Sequence, residues 1–166
     1  MINPFQTLID RIRGEVVDLD QVVRRASEVW PLAQQESDEQ AVYVDSVALN
    51  LHSLYSGLER LFELIARQVD RRLPEGANWH HELLRQMTND VPDARPAVIS
   101  EETAVALDEF RRFRHLVRNA YTIHLDPHKM QALLKSLPEL WLKVRAELLA
   151  MADYLERLSR SLDAND

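Results

Sequence analysis

The longest regular pattern in the chain is an apolar seam whose residues recur at alternating spacings of three and four. It comprises Val44, Val47, Leu51, Leu54, Leu58, Leu61 and Ile65. Because an α-helix has 3.6 residues per turn, this spacing places all of them on one face that packs against a neighbouring helix. A second stripe runs beside it and contains His52, Tyr55, Glu59 and Phe62. The pattern predicts a central helix of a bundle, beginning at a capping box at residues 37–40 and ending near Leu73.

The same spacing predicts the remaining helices, near residues 4–29, 79–87, 101–122 and 127–160. Pro31 is expected to end the first helix, and Pro138 to break or kink the last one. Asn3, Asn78, Ser100 and Asp126 are the expected N-caps of these four segments. Only three glycines interrupt the chain. The sequence therefore predicts an all-α antiparallel helical bundle of about five helices, with a single domain over residues 1–160 and a frayed tail over 161–166.

Composition narrows the class of protein. There is no cysteine, so disulfides and thiolate metal sites are excluded, which fits a reducing compartment. The N-terminus lacks a signal-peptide hydrophobic stretch, and no apolar run approaches a membrane span, so we expect a cytoplasmic protein. The net charge of −7 argues against a general nucleic-acid coat. Basic residues are nevertheless concentrated between Arg111 and Arg118, where five of the eight are arginine or histidine.

That basic cluster lies in the last turns of the fourth predicted helix. Arg114, Arg118 and Tyr121 are four and then three residues apart, so they share one face of the helix. His115 lies roughly 60° round the helix from Arg118. Two guanidinium groups on one face can bind a phosphate, with an imidazole beside them. We found no paired-histidine zinc motif, glycine-rich phosphate loop or serine-nucleophile elbow, so no metal and no cofactor are predicted.

Five residues separate Arg118 from His124, and this spacing has two interpretations. In the first, the segment is a solvated basic face whose Arg114 and Arg118 pair with acidic residues. In the second, it is a metal-free ribonuclease site. A histidine would then exchange a proton at the RNA 2′-hydroxyl or 5′-oxygen. Arginine would stabilise the negative charge that develops on the phosphate. On the spacing alone the solvated basic face is the favoured interpretation.

The residues of this segment resemble the HEPN superfamily, and in particular the HepT-like ribonuclease toxins. The resemblance covers the chain from about Asp45 to the last helix. It is carried by residues 107–110, 113–115, 118–119, 121 and 125–126, and upstream by residues 54–60, 78–80 and 95–100. It implies a dimeric helical bundle in which the motifs of two subunits line a shared cleft. It also implies metal-independent RNA cleavage, and a minimal nucleotidyltransferase as the partner antitoxin.

The resemblance assigns candidate roles to individual residues. In the family, an arginine followed by a polar residue precedes a histidine by a few positions, which here indicates Arg118, Asn119 and His124 as catalytic. In the best-known toxin subgroup four residues separate the arginine and the histidine, and a tyrosine follows two positions later. Here five residues separate them and position 126 is Asp. His115 is therefore a second candidate for the catalytic base.

Three further residues, Arg111, Arg114 and Tyr121, are expected to help bind RNA. The resulting prediction is an endoribonuclease toxin of a HEPN/nucleotidyltransferase toxin–antitoxin pair that acts as a homodimer. The alternatives are a catalytically degenerate HEPN module that holds a nucleotide or a nucleotidyltransferase partner, and a purely structural helical dimerisation domain. Cleavage of RNA in the presence of a chelator separates the first from the other two.

Overall fold

The computed structural model describes residues 3–119 and 125–164. Within them the chain is all-α, as predicted, and contains no β-strand. The five α-helices are α1 (Gln6–Ala33), α2 (Gln40–Ile65), α3 (Trp79–Gln86), α4 (Glu101–Arg118) and α5 (Pro127–Asp163). A π-helical segment, Ala66–Asp70, extends α2, and the left-handed backbone of Arg71 (φ 57°) ends it.

The long helices pack in antiparallel pairs. Arg13 of α1 forms an ion pair with Asp153 of α5, whereas the later residue Asp20 accepts a hydrogen bond from Trp141, which lies earlier in α5. Gly57 of α2 lies in tight contact with α1. A Cβ atom added there would lie 2.7 Å from Leu19 Cδ2, so the absence of a side chain allows the two backbones to approach.

The predicted seam of α2 forms the centre of the core. All seven of its residues are buried, together with Tyr55 and Phe62 of the second stripe. They pack against α1 and α4, and α5 completes the core from the other side of those two helices. The same core includes Ile9, Ile12, Leu107, Phe110, Val144 and Leu148. Burial of these side chains is the main source of stability in a bundle of this kind. No helix in residues 3–119 and 125–164 combines the length and apolarity needed to cross a membrane.

Two of the expected N-caps are confirmed. The Ser100 hydroxyl accepts a hydrogen bond from the backbone N–H of Thr103 at the start of α4. The Asp126 carboxylate accepts one from the backbone N–H of His128 at the start of α5. Because a side-chain acceptor satisfies an otherwise unpaired N–H of the first helical turn, both helices begin where the sequence predicts.

Other predicted boundaries are wrong. The capping box at residues 37–40 does not form, and α2 begins at Gln40 without a side-chain cap. The last helix continues through Pro138 as one element, and Ser136 bonds to the Leu133 carbonyl oxygen inside it instead of capping a new helix. Likewise, α1 continues past Pro31 to Ala33. At its other end, α5 includes residues 161–163 of the segment predicted to be a frayed tail.

An irregular loop, residues 87–100, connects α3 to α4 and is held from inside by Arg95. Its Nε lies 2.6 Å from Oδ1 of Asp70, and its Nη2 lies 2.6 Å from Oδ2 of the same carboxylate. Its Nη1 donates to the carbonyl oxygens of Asn89 and Pro96, both at 3.0 Å. A buried guanidinium with this many partners fixes the path of the loop and hence the start of α4.

Candidate functional site

Two helices, α2 and α4, place polar side chains opposite one another. Arg114 of α4 donates from Nε to the Ser56 hydroxyl of α2 at 2.9 Å. Its Nη1 lies 3.3 Å from the Glu59 carboxylate, one turn further along α2. Both Arg114 and Glu59 are largely withdrawn from water, so the ion pair is screened little and holds the guanidinium in a defined orientation. Arg114 is therefore an anchored cation on the predicted face.

The same carboxylate also connects to α3. The second oxygen of Glu59 lies 2.8 Å from Nδ1 of His80. The His80 ring in turn stacks on Trp79, with 3.7 Å between the ring centroids. Neither Ser56 nor His80 is among the predicted site residues. The signal available for Ser56 was its place in the semi-polar stripe of α2, four residues after His52 and three before Glu59.

A second group of charges surrounds Asp108 on α4. Its carboxylate accepts from Arg111 at 2.7 Å and from Arg112 at 3.0 Å, and His81 Nδ1 lies 3.5 Å away. Burial alone would raise the pKa of Asp108, but these arginine hydrogen bonds outweigh it and lower that pKa below its ordinary value. Arg111, which we predicted to bind RNA, is thus bound by an acid on its own helix.

Arg118 and Asn119 lie where α4 ends. Both are exposed, and no carboxylate in the described ranges forms an ion pair with Arg118. The Asn119 amide donates to the His115 carbonyl oxygen at 2.9 Å and lies 3.3 Å from Nε2 of the His115 ring. The exposed end of α4 therefore presents a guanidinium, an amide and an imidazole within one helical turn.

The interpretation as a paired, solvated basic face holds for only part of the row of arginines. Arg111 and Arg114 are paired with acids, whereas the exposed Arg118 carries its charge into solvent. The other two predicted residues, Tyr121 and His124, lie outside the described residues. The structure thus brings Arg114, Arg118, Asn119 and His115 to one end of α4, and their catalytic and RNA-binding roles stay predictions.

His52 of α2 also belongs to this region. Its Nδ1 atom is buried, and none of the residues in 3–119 and 125–164 gives it a hydrogen bond. Burial lowers the pKa of His52, and the positive charges of Arg114 and Arg118 lower it further. Nearby, burial raises the pKa of the Tyr55 phenol, so that residue stays neutral. Both residues belong to the second stripe that the sequence predicts on α2.

The chemistry available here is that of arginine and imidazole groups. Across the part of the chain that the structure describes, no three histidine or acidic side chains are grouped to hold a metal ion. Guanidinium groups bind phosphate oxygens in a bidentate geometry, and an imidazole can exchange a proton near neutral pH. The arrangement can bind a phosphodiester and move a proton at one of its oxygens.

The model of the HepT-like protein family matches residues 46–155. The chain belongs to the HepT-like family. HepT-like proteins are part of the HEPN superfamily and form a family of ribonuclease type within it. The match includes every site residue named above, from His52 to Asn119. No curated protein and no solved structure matches the chain.

Proposed function

We propose that this HepT-like protein is a metal-independent endoribonuclease, and that it is the toxin of a HEPN/nucleotidyltransferase toxin–antitoxin pair. The observation that carries the proposal is the exposed Arg118 at the end of α4, with Asn119 and His115 beside it and the anchored Arg114 one turn earlier. Family membership supports the same chemistry at the coarser level of a ribonuclease-type fold.

In the proposed reaction Arg118 binds the scissile phosphate and stabilises the charge that develops on it. The RNA 2′-oxygen forms a bond to phosphorus while the bond from phosphorus to the 5′-oxygen breaks. A general base accepts the proton of the 2′-hydroxyl, and a general acid protonates the leaving 5′-oxygen. The products are a 2′,3′-cyclic phosphate and a 5′-hydroxyl. We assign proton exchange to His124, with His115 as the alternative, and positioning of the phosphate to Asn119.

RNA binding is assigned to the rest of the basic face. Arg114 and Tyr121 would contact the strand next to the scissile phosphate, and Arg111 would add positive potential from its place beside Asp108. Such contacts contribute affinity without sequence specificity, because phosphate groups are the same along every strand. The RNA is therefore expected to be held mainly by its backbone.

A homodimer would enclose the RNA between two copies of the site. Next to the basic segment, α4 and α5 form a groove of about 670 Å³. It is lined in part by Val105, Phe113, Leu116 and Leu133. Val105 and Leu116 are exposed apolar side chains, which a second subunit can cover. Closed twofold pairing through this groove would bring the 113–124 segments of both subunits close to the axis.

A minimal nucleotidyltransferase is proposed as the antitoxin partner. Position 126, where the best-known toxin subgroup has a tyrosine, is here an aspartate whose carboxylate caps α5. Nucleotidylation of a hydroxyl at that position is therefore not available to this chain. This favours neutralisation by direct binding, or by modification elsewhere, over modification at position 126.

The test is an RNA cleavage assay in the presence of EDTA. We expect the wild type to stay active and Arg118→Ala to lose at least about a hundredfold in rate, the usual scale for removing a group that stabilises the transition state. Arg25→Ala, at an exposed arginine of α1, is the matched control and should cleave like the wild type. If the wild type cleaves no RNA, the proposed enzymatic function is wrong and the catalytically degenerate binding module is the remaining alternative.

A further inference from the structure

We propose that His52 of α2 is a second proton-exchanging residue of the RNA-cleaving site, facing the phosphate bound by Arg118 from the opposite wall. This inference rests on the proposed ribonuclease function and deepens it. It adds a catalytic side chain from a helix that lies outside the segment containing Arg118, Asn119 and His124.

The relative position of the two residues follows from the contact between the helices. Arg114 bonds to Ser56, so these residues mark the same level of α4 and α2. The adjacent residues His80 and His81 of α3 contact Glu59 of α2 and Asp108 of α4, respectively. The later residue of α2 therefore lies level with the earlier residue of α4, so the two helices run antiparallel. One turn further along α4 is Arg118, and one turn back along α2 is His52. The two side chains therefore occupy the next level of the same interface.

The electrostatics of His52 agrees with this placement. The charges of both Arg114 and Arg118 act on the His52 imidazole. These arginines on α4 are the charged groups that face it, while Ser56 and Tyr55 are its polar neighbours on α2. A phosphate bound by Arg118 would add a negative charge within reach of the ring. Binding of RNA would therefore favour the imidazolium that forms when His52 accepts a proton.

The state of the ring without RNA suits a general base. Burial and the two guanidinium groups lower the pKa of His52, so the ring is neutral at pH 7 and able to accept a proton. Its buried Nδ1 has no hydrogen-bond partner among the described residues. An unpaired buried nitrogen costs stability, and a purely structural histidine would normally have a partner.

The proton balance of the reaction is then complete. His52 accepts the proton of the 2′-hydroxyl as the 2′-oxygen bonds to phosphorus, and it becomes an imidazolium. The residue to which proton exchange is assigned above, His124 or His115, gives its proton to the 5′-oxygen as the phosphorus–oxygen bond breaks. Arg118 neutralises the phosphate between them. Two imidazoles on opposite sides of the phosphate serve an in-line displacement better than one, because the entering and leaving oxygens lie on opposite sides of phosphorus.

The experiment measures single-turnover cleavage of a mixed-sequence RNA oligonucleotide pool in EDTA, together with binding of the 2′-O-methyl version of that pool, which cannot be cleaved. We expect His52→Gln to lose at least about a hundredfold in rate. Its affinity for the 2′-O-methyl pool should stay within about threefold of the wild type, because phosphate contacts supply most of that affinity. The control His128→Gln, at an exposed histidine in the first turn of α5, should match the wild type in both measurements.

A second variant separates chemistry from folding. In His52→Gly the ring is missing, and added imidazole should restore at least part of the rate if the ring is needed only to move a proton. Cleavage by His52→Gln within tenfold of the wild type, or a His52→Gly enzyme that imidazole does not activate, would overturn the inference and leave the proposed function standing. If the wild type and His128→Gln both cleave nothing, the proposed function fails and the inference fails with it.

Discussion

Arg114 Nη1 of α4 lies 3.3 Å from Glu59 Oε1 of α2, and only 14% and 6% of the two side chains are exposed to solvent. The orientation of the Arg114 guanidinium therefore depends on an acid that is nearly buried. Because Glu59 also bonds to His80, a single carboxylate ties α2, α3 and α4 together at the base of the site.

Removing this carboxylate should damage both stability and activity. Glu59→Ala leaves the Arg114 guanidinium without its partner, and breaking a buried ion pair in this way costs about 3 kcal/mol or more. The control Glu109→Ala removes an exposed carboxylate that lies 3.4 Å from Arg112, which keeps its closer contact with Asp108, and should cost less than about 1 kcal/mol. Urea unfolding of both variants measures the difference. Equal losses in the two variants would contradict a structural role for the buried pair.

The pKa of His52 predicts how stability depends on pH. That pKa is lowered in the folded chain, so below the ordinary value of about 6.5 the unfolded chain binds more protons at this position than the folded one. Stability contributed by the neutral ring is complete above that value and is lost as the pH falls through the folded pKa. The melting temperature of His52→Gln should therefore fall less between pH 7.5 and pH 5.5 than that of the wild type. An equal fall in the melting temperature of the two proteins would contradict this and show that the pKa of the ring is the same in the folded and unfolded chains.

The residue that exchanges a proton from the α4 side can be identified by substitution. The family spacing predicts that His124→Ala loses at least about a hundredfold in cleavage while its fold is unchanged. If His124→Ala stays fully active and His115→Ala is inactive, His115 is the residue, consistent with its position beside Asn119. The measurement is cleavage rate, with circular dichroism as the control for folding. Full activity in both variants would exclude His124 and His115 as proton-exchanging residues.

The proposed dimer interface can be tested at one apolar residue of the groove. Leu116→Glu places a charge on the surface that a second subunit would cover, and it should convert the dimer to a monomer. Leu142→Glu is the matched control, because Leu142 of α5 is also exposed but does not line the groove. Light scattering at micromolar concentration reports the mass of each variant. A Leu116→Glu protein that stays dimeric would exclude this groove as the interface.

The loop between α3 and α4 should depend on one ion pair. Asp70→Ala leaves the fully buried Arg95 guanidinium without a counterion and should cost about 3–5 kcal/mol. Glu101→Ala removes the partner of exposed Arg85 and should cost less than about 1 kcal/mol. Thermal unfolding distinguishes the two. If Asp70→Ala lowers the free energy of unfolding no more than Glu101→Ala does, the loop is held by its apolar residues instead.

The helices were predictable from the sequence because their information is local. The seam from Val44 to Ile65 specifies a buried face without reference to the rest of the chain. The caps at Ser100 and Asp126 need only a side chain and an N–H two or three residues later. Where a local signal failed, a distant contact replaced it. The Gln40 side chain, assigned to a capping box, donates instead to the Ala33 carbonyl oxygen at the end of α1.

Proline signals failed for a related reason. Pro138 removes one backbone hydrogen bond, but Leu137, Leu140 and Trp141 around it are all buried. Burial of these side chains offsets the lost bond, so α5 stays continuous.

The contacts of the candidate site residues were harder to predict than their positions on the helices. Arg114 could be placed on its face of α4, but its bond to Ser56 depends on how two separate helices are rotated against each other.

The internal support of residues 87–100 also bears on how related sequences can differ. Arg95 bonds mostly to main-chain carbonyl oxygens, which every amino acid supplies. Side chains on the outside of the loop can therefore be exchanged without altering its course, provided that Arg95 and Asp70 are kept. Homologous chains are free to diverge at Asn89, Pro92 and Pro96, which are exposed, and still deliver α4 to the same place. The loop could thus acquire a new recognition surface at little cost to the site that α4 carries.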